Sequence, residues 1–448
     1  MKRFFIEKLK DWKSKVNRKP LVLSGARQVG KTWLLKEFGR IAFKNTAYVN
    51  FDKNEELKAV FEGGFDFKVI ISAIQAVCNV DIVPSETLII FDEIQLCPNA
   101  LRSLKYWQED YPQYHIAAAG SLIGLSLMEG SGYPVGKTNS MTLYPMSFSE
   151  FLTASGDEKL SDLIVSGNAA VINVFHDTLS RRLKEYLFVG GMPAAVSAFV
   201  QNRSFAAARS EQMEILSDYG RDFGKHAPKE MLPRIRALWR SLPAQLAKED
   251  KRFVASVVIG ENGNKMRSRD LKDPFEWLEA AGIAYRVWNV TKPNGPLDSY
   301  RNHLFKFFGV DVGLLCAHSG LDAKSVVDGN RIFTEFKGAL TEQFVQQELR
   351  AASALEPFFW SAPRSKAEID FLVEADGMII PIEVKAERNL KAKSLQVFRQ
   401  KFQPALSVRT SLAEYEPQDG LLNLPLYAIG TFRSLLSERI LECITSTK

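Results

Sequence analysis

At 448 residues the chain is too long for one hydrophobic core, so several domains are expected. An apolar fraction of 46% with 25% charged residues is that of an ordinary globular protein. No stretch holds the ~18 uninterrupted apolar residues of a membrane helix, which sets membrane partners aside. The net charge is only +6, but residues 221–306 carry 17 Lys and Arg against 10 Asp and Glu, which is the whole excess. Such a stripe suits a phosphate backbone, and equally a solvated surface.

The first residues are basic and apolar like a leader segment, yet Glu7, Lys8, Lys10, Asp11 and Lys13 interrupt the apolar run. They read instead as an amphipathic helix that packs through Phe5, Leu9, Trp12 and Val16. The strand-like Leu21-Val22-Leu23 then runs into Gly25-Ala26-Arg27-Gln28-Val29-Gly30-Lys31-Thr32, followed by a helical pattern from Trp33 to Phe38. This is a phosphate-binding loop. Its glycines let backbone N–H groups curl round an oxyanion at a helix N-terminus, Lys31 reaches the outer phosphates of ATP, and Thr32 offers an oxygen to Mg²⁺.

From Pro20 to Met146 apolar strands alternate with helices, the pattern of a parallel α/β sheet. The expected strands are Leu21 to Ser24, Ala47 to Phe51, Thr87 to Phe91, His115 to Ala119 and Ser140 to Tyr144. The third is apolar throughout, as a central strand buried on both faces should be, and ends in Asp92 and Glu93. There Asp92 can hold Mg²⁺ and Glu93 can polarise the water that attacks the γ-phosphate, which makes the chain an ATPase and disfavours a metabolite kinase. The next strand ends at Ser121, a sensor of the γ-phosphate or a cap of the following helix.

Beyond Phe151 the pattern is helical up to Gly190-Gly191-Met192-Pro193 and reads as a lid. Residues 227–289 suggest a small helical unit, with Arg269 to Ala281 helical and Ala284 to Val290 strand-like, followed by a turn at Lys292 to Pro296. Arg27, Arg181, Arg182 and Arg221 are candidates to stabilise charge at the ATPase site, or simple surface ion pairs. Cys78, Cys97, Cys316 and Cys443 lack metal-ligand spacing and read as reduced thiols of a cytoplasmic protein. The five histidines are scattered and support neither a triad nor a zinc site.

Near the C-terminus, Glu368 to Val373 and Ile379 to Lys385 flank Asp376-Gly377, a preferred type I′ turn. Pairing about that turn sets Asp370 opposite Glu383 and Lys385 opposite Glu368. Two facing carboxylates destabilise a ladder by roughly 0.2–1 kcal/mol unless a cation or proton lies between them. A divalent metal held by Asp370 and Glu383, with Lys385 orienting a bound water, is one resolution. An exposed hairpin with Ile369, Phe371, Ile382 and Val384 facing inward is the other.

The phosphate loop, Phe91-Asp92-Glu93, Gly120-Ser121, the stretch from Met146 to Phe151 and Gly190-Gly191-Met192-Pro193 together resemble the bacterial and archaeal AAA+-like ATPases with a C-terminal domain of unknown function, DUF4143. The segments Phe307 to Leu315 and Gly338 to Glu342 resemble that C-terminal domain. The resemblance implies an α/β P-loop core (1–150) of strand order 5-1-4-3-2, a helical lid (151–226), a winged-helix unit (227–305) and a restriction-endonuclease-like α/β domain (306–448). It also implies kinship with signalling ATPases whose Gly-x-Pro motif touches adenine, here Gly191 and Pro193. Asp370, Glu383 and Lys385 match the PD-(D/E)xK nuclease pattern, whose helix-borne acid corresponds to Glu342, with Glu348 as the alternative. Two functions follow as expectations. One is ATP hydrolysis coupled to Mg²⁺-dependent binding and cleavage of nucleic acid, DNA rather than RNA. The other is a STAND-like ATP/ADP switch whose nuclease-fold domain only binds a protein or DNA partner. Either is compatible with a homo-oligomer.

Overall fold

Ten residues, Phe5–Ser14, form the helix α1, which buries Ile6, Leu9 and Trp12. Val16 falls beyond its last turn and is fully exposed, so the expected packing face ends one turn earlier. The Trp12 ring meets Phe38 and His115 edge-on or tilted, and its indole N–H donates to the Lys19 carbonyl. The computed structural model describes residues 1–121, 134, 136–261, 263–329, 331–362, 367–387, 393–418 and 420–435. Two compact units divide them, one made of residues 3–144 with 280–282 and the other of the remainder.

The first unit is a parallel sheet of β1 (Leu21–Ser24), β2 (Asn45–Asn50), β3 (Thr87–Asp92), β4 (His115–Ala119) and β5 (Asn139–Thr142) in the order β2-β3-β4-β1-β5. That is the expected 5-1-4-3-2 arrangement, with β2 and β5 displaced by one or two residues from the ranges read in the sequence. Every residue of β3 is buried. Phe51, Phe61 and Phe91 meet ring to ring on one face of the sheet, in a core shared with Leu101, Leu104 and Trp107. A central strand with both faces covered forces its polar end, Asp92, out at the carboxyl edge.

The second unit combines helices with an eight-stranded mixed sheet. The expected lid becomes the helices Phe148–Ala154, His176–Val189, Pro193–Asn202 and Phe205–His226, with Glu158–Val165 and Ala169–Val174 between the first two. His176–Val189 packs against the helices Val312–His318 and Arg331–Ala351 of the same unit, and Phe205–His226 against Val312–His318. The expected wing is the hairpin of β6 (Ala284–Val290) and β7 (Arg301–Gly309). It stands at the edge of a sheet that continues through β8 (Phe358–Ser361), β9 (Glu368–Ala375), β10 (Met378–Val384), β11 (Ser407–Ser411) and β13 (Leu421–Pro425) to β12 (Glu416–Gln418). The expected boundary at residues 305 and 306 falls within β7, and β6 pairs with β8 from the later sequence.

Candidate functional site

β1 feeds the chain into Gly25, where a Cβ would run into the Leu143 carbonyl and φ is 153°. Gln28 and Gly30 take left-handed φ values of 65° and 92°, which turn successive amides toward one centre before the helix Lys31–Ala42 begins. Val29 is buried beneath the loop, while Arg27 is half-buried and Gln28 exposed. Lys31 Nζ donates to the carbonyls of Gly25 and Ala26 at 3.0 and 2.9 Å. Burial pulls its ammonium down to about 8 although Glu93 and Asp92 pull it up. A triphosphate in the loop would supply the negative charge that restores it.

Asp92, 4% exposed at the end of β3, gathers three donors. The Thr32 and Tyr48 hydroxyls both donate to Oδ2, at 2.8 and 2.7 Å, and the Glu93 N–H donates to Oδ1 at 3.1 Å. Burial and the bond to Asp92 push Tyr48 up to about 12. The Thr32 hydroxyl and Asp92 carboxylate are hard oxygen donors held together at the mouth of the loop, a pair suited to Mg²⁺. Glu93 sits at φ 50°, a sparsely populated conformation for a residue with a side chain, and the Gln95 amide donates to its Oε2 at 2.5 Å. Ser121 is buried past the end of β4, where the Gly120 N–H donates to Leu23 of β1. Its alternative role as a helix cap falls on residues 122–133, outside the described ones. Two contributors escaped sequence reasoning: Tyr48, and Arg3, whose buried guanidinium donates to Val29 at 3.0 Å and Tyr144 at 2.7 Å. No local motif marks either.

In the second unit, the Asp376-Gly377 turn has positive φ at both residues, as type I′ requires, and pairs Phe371 with Ile382. The paired register ends there, one step short of Asp370 and Glu383, and the Val384 N–H donates to Asp370 Oδ2 at 2.8 Å. Ile369, Phe371 and Ile382 are buried as expected, yet Glu383 is also buried, at 4% exposure, so the hairpin is covered on both faces. Glu342 joins Glu368 and Asp370 through a residue that sequence reasoning overlooked. Lys306 of β7 is 1% exposed, and its Nζ lies 2.7 Å from Glu368 Oε1, 3.3 Å from Glu342 Oε2 and 3.7 Å from Asp370 Oδ1. Lys251 lies 2.8 Å from the other Glu342 oxygen. Lys385 turns to Glu383 at 2.6 Å and not to Glu368, which Lys306 has taken.

Three ammonium groups thus face four carboxylates. Burial and the neighbouring Glu342 and Glu383 push Asp370 up to about 8, and burial also raises Glu383. Burial opposes a charged Lys306, but Glu342, Glu368 and Asp370 outweigh it and raise its affinity for the proton. Of the two acids expected to share a divalent ion, Asp370 lies against the Lys306 ammonium and Glu383 against that of Lys385, and this arrangement does not fit Mg²⁺. Among the described residues no group of three or more His, Cys, Asp or Glu is placed to hold a metal ion. Glu348, the alternative acid, lies elsewhere on the helix, accepting the Phe148 N–H at 2.9 Å.

Gly191 and Pro193 fall in this second unit. The Gly191 N–H donates to the fully buried Asp311 at 2.6 Å, and Asp311 also accepts from Leu314 N–H and the Gln347 amide. Gly190 has φ 73°, and a Cβ there would meet Asp311 and Gly313, so only glycine fits. Cys97 and Cys316 are buried and Cys78 half-buried, while Cys443 lies outside the described residues. Arg182 is committed to Asp157 and Glu185, both at 2.7 Å, and Arg221 to Asp218.

Residues 17–152 match the family model of an AAA domain. Residues 180–325 match a domain of unknown function, DUF8612, and residues 337–429 match another, DUF4143. The curated proteins offer no match. Among solved structures, the Walker-type ATPase PABY2304 of Pyrococcus abyssi is similar at 13% identity and a TM-score of 0.42, over 70% of this chain and 94% of that one. The ORC1 protein of Aeropyrum pernix, solved in complex with DNA, is similar at 13% identity and 0.27, over 70% and 90%. Cdc6p from Pyrobaculum aerophilum follows at 12% and 0.26, over 72% and 93%. The chain therefore carries an AAA-type P-loop ATPase domain, and a DUF4143 domain follows it.

Proposed function

We propose that the N-terminal unit binds ATP with Mg²⁺ and hydrolyses it, and that the second unit is a nucleic acid binding module that does not cut. The observation that carries the first part is the joining of Thr32, Asp92 and Glu93 at the end of β3, beside Lys31. The loop amides and Lys31 hold the outer phosphates. Thr32 and Asp92 would hold Mg²⁺, which supplies charge neutralisation to the phosphates. Glu93 accepts a hydrogen bond from the attacking water and takes its proton, and Gln95 fixes the direction of that carboxylate.

For the partner, Lys225, Lys229, Arg234 and Arg236 are exposed on two consecutive helices and their connection, and none makes an ion pair among the described residues. Unpaired, clustered cations favour a polyanion such as DNA. The bond from Val384 N–H to Asp370, which ties that acid to the strand of Glu383, favours a second reading, cleavage of nucleic acid, which would require Lys306 to leave the acids.

The test measures ATP turnover, DNA affinity by fluorescence anisotropy at two salt concentrations, and nicking with Mg²⁺ or Mn²⁺. Wild type should turn over ATP and bind DNA more weakly at higher salt. Lys31→Ala should lose nucleotide binding. Glu93→Gln should keep it while turnover falls by about 10²–10⁴-fold. Unchanged turnover in Glu93→Gln, or salt-independent DNA affinity, would sink the corresponding part. Nicking abolished by Asp370→Asn would establish the second reading.

A further inference from the structure

We propose that Lys306 is the resident cation of the C-terminal acid cluster, its ammonium standing where a divalent ion would stand, so that this unit assembles its acids without metal. Three observations support this. The Nζ reaches three carboxylates contributed by a helix and a strand, Glu342, Glu368 and Asp370, within 3.7 Å. It is sealed from water, with the Phe359 and Phe371 ring centres 5.2 and 6.0 Å away. Two more lysines complete the lattice, Lys251 on Glu342 and Lys385 on Glu383.

A small dication could enter only by expelling a lysine that is 1% exposed, or by accepting repulsion from its ammonium at contact distance. The lysine stem also anchors the charge covalently. The cluster therefore holds its geometry at any metal concentration, whereas a metal-built site opens when the ion is removed. Replacing Lys306 by an uncharged side chain of similar length would leave the acids with a vacant centre and excess negative charge, the conditions in which carboxylates take up a divalent ion. The inference underlies the non-cutting part of the proposed function, and ATP turnover is independent of it.

The experiment titrates Mn²⁺ into the full chain without nucleotide, following free Mn²⁺ by electron paramagnetic resonance, for wild type, Lys306→Met and Asp370→Asn. The phosphate loop is common to all three, so differences report the acid cluster. Wild type and Asp370→Asn should take up equal Mn²⁺, and Lys306→Met should gain one equivalent bound at least tenfold more tightly. A Lys306→Met chain that folds only when Mn²⁺ is added supports the proposal equally. If that variant does not fold at all, the wild-type comparison decides: equal uptake supports the proposal. Uptake by wild type that Asp370→Asn removes would overturn it, as would a folded Lys306→Met with no added Mn²⁺ affinity. ATP turnover measured in parallel separates failure of this inference from failure of the ATPase assignment.

Discussion

Tyr48 and Thr32 both donate to one oxygen of Asp92, and together they set how the carboxylate is offered to a metal. When the Thr32 hydroxyl and Asp92 turn to Mg²⁺, the Tyr48 hydroxyl remains to hold the carboxylate in place; Asn50 in turn donates to it at 3.3 Å. Tyr48→Phe keeps the ring over which Lys36 sits and removes only that bond. A hydrogen bond of this kind is worth about 1 kcal/mol net, so ATP turnover should fall several-fold and the half-saturating Mg²⁺ concentration should rise. A Mg²⁺ titration of turnover that superimposes on wild type would remove Tyr48 from the site. The loop, Asp92 and Glu93 were legible in the sequence because their chemistry is written in consecutive residues. Tyr48, Arg3 and Lys306 were not, because each acts on residues far along the chain. Lys306 in particular reads as a solvent-facing strand position until Glu342 and Glu368 are brought to it by folding.

The helix Arg331–Ala351 shows why the second unit was harder to read at the level of elements. Its buried residues include Thr341, Glu342, Gln343, Gln346, Gln347 and Glu348, which no hydrophobic periodicity would place inside. Three of them serve backbone left unpaired elsewhere: Gln343 both donates to and accepts from Gly309, Gln347 accepts from Val312 N–H, and Glu348 accepts from Phe148 N–H. Strands and the hairpin register were legible because alternation and the Asp-Gly turn are local; the polar helix and the sheet's extension to β6 and β7 depend on distant partners. Glu348 is the residue of this helix whose charge is most exposed to pH. Burial, with Glu150 nearby, pushes it up to about 8 from 4.5. Its contribution to stability is therefore complete below pH 4.5 and is lost as pH rises through 8. Glu348→Gln can still accept the Phe148 N–H, and should be more stable than wild type by on the order of 2 kcal/mol near pH 8, the difference closing by pH 5. Chemical denaturation at the two pH values measures this; a constant difference would show that Glu348 does not titrate on unfolding.

Two units with separate cores should melt as two calorimetric transitions, and each contains a histidine, His115 buried and His318 half-buried, that identifies its response to acid. In the first, His115 is held down to about 4 by burial, with Arg18 and Lys13 adding repulsion; its ring packs edge-on against Trp12 and Phe43. In the second, burial holds His318 down to about 4 while its ring stacks on Trp239. A histidine lowered from 6.5 favours the fold above pH 6.5, and that stability is lost as pH falls toward 4. Each unit should thus lose about 1–2 kcal/mol over that window from its histidine, on top of any loss from carboxylates. ATP with Mg²⁺ should raise only the transition of the unit that contains Lys31, which assigns the two peaks. His115→Phe should then flatten the pH dependence of the ATP-sensitive peak and leave the other unchanged, and His318→Phe should do the reverse. If either substitution flattened both peaks equally, the two cores would be unfolding as one cooperative body, and the division into an ATPase unit and a separately folded C-terminal unit would fail.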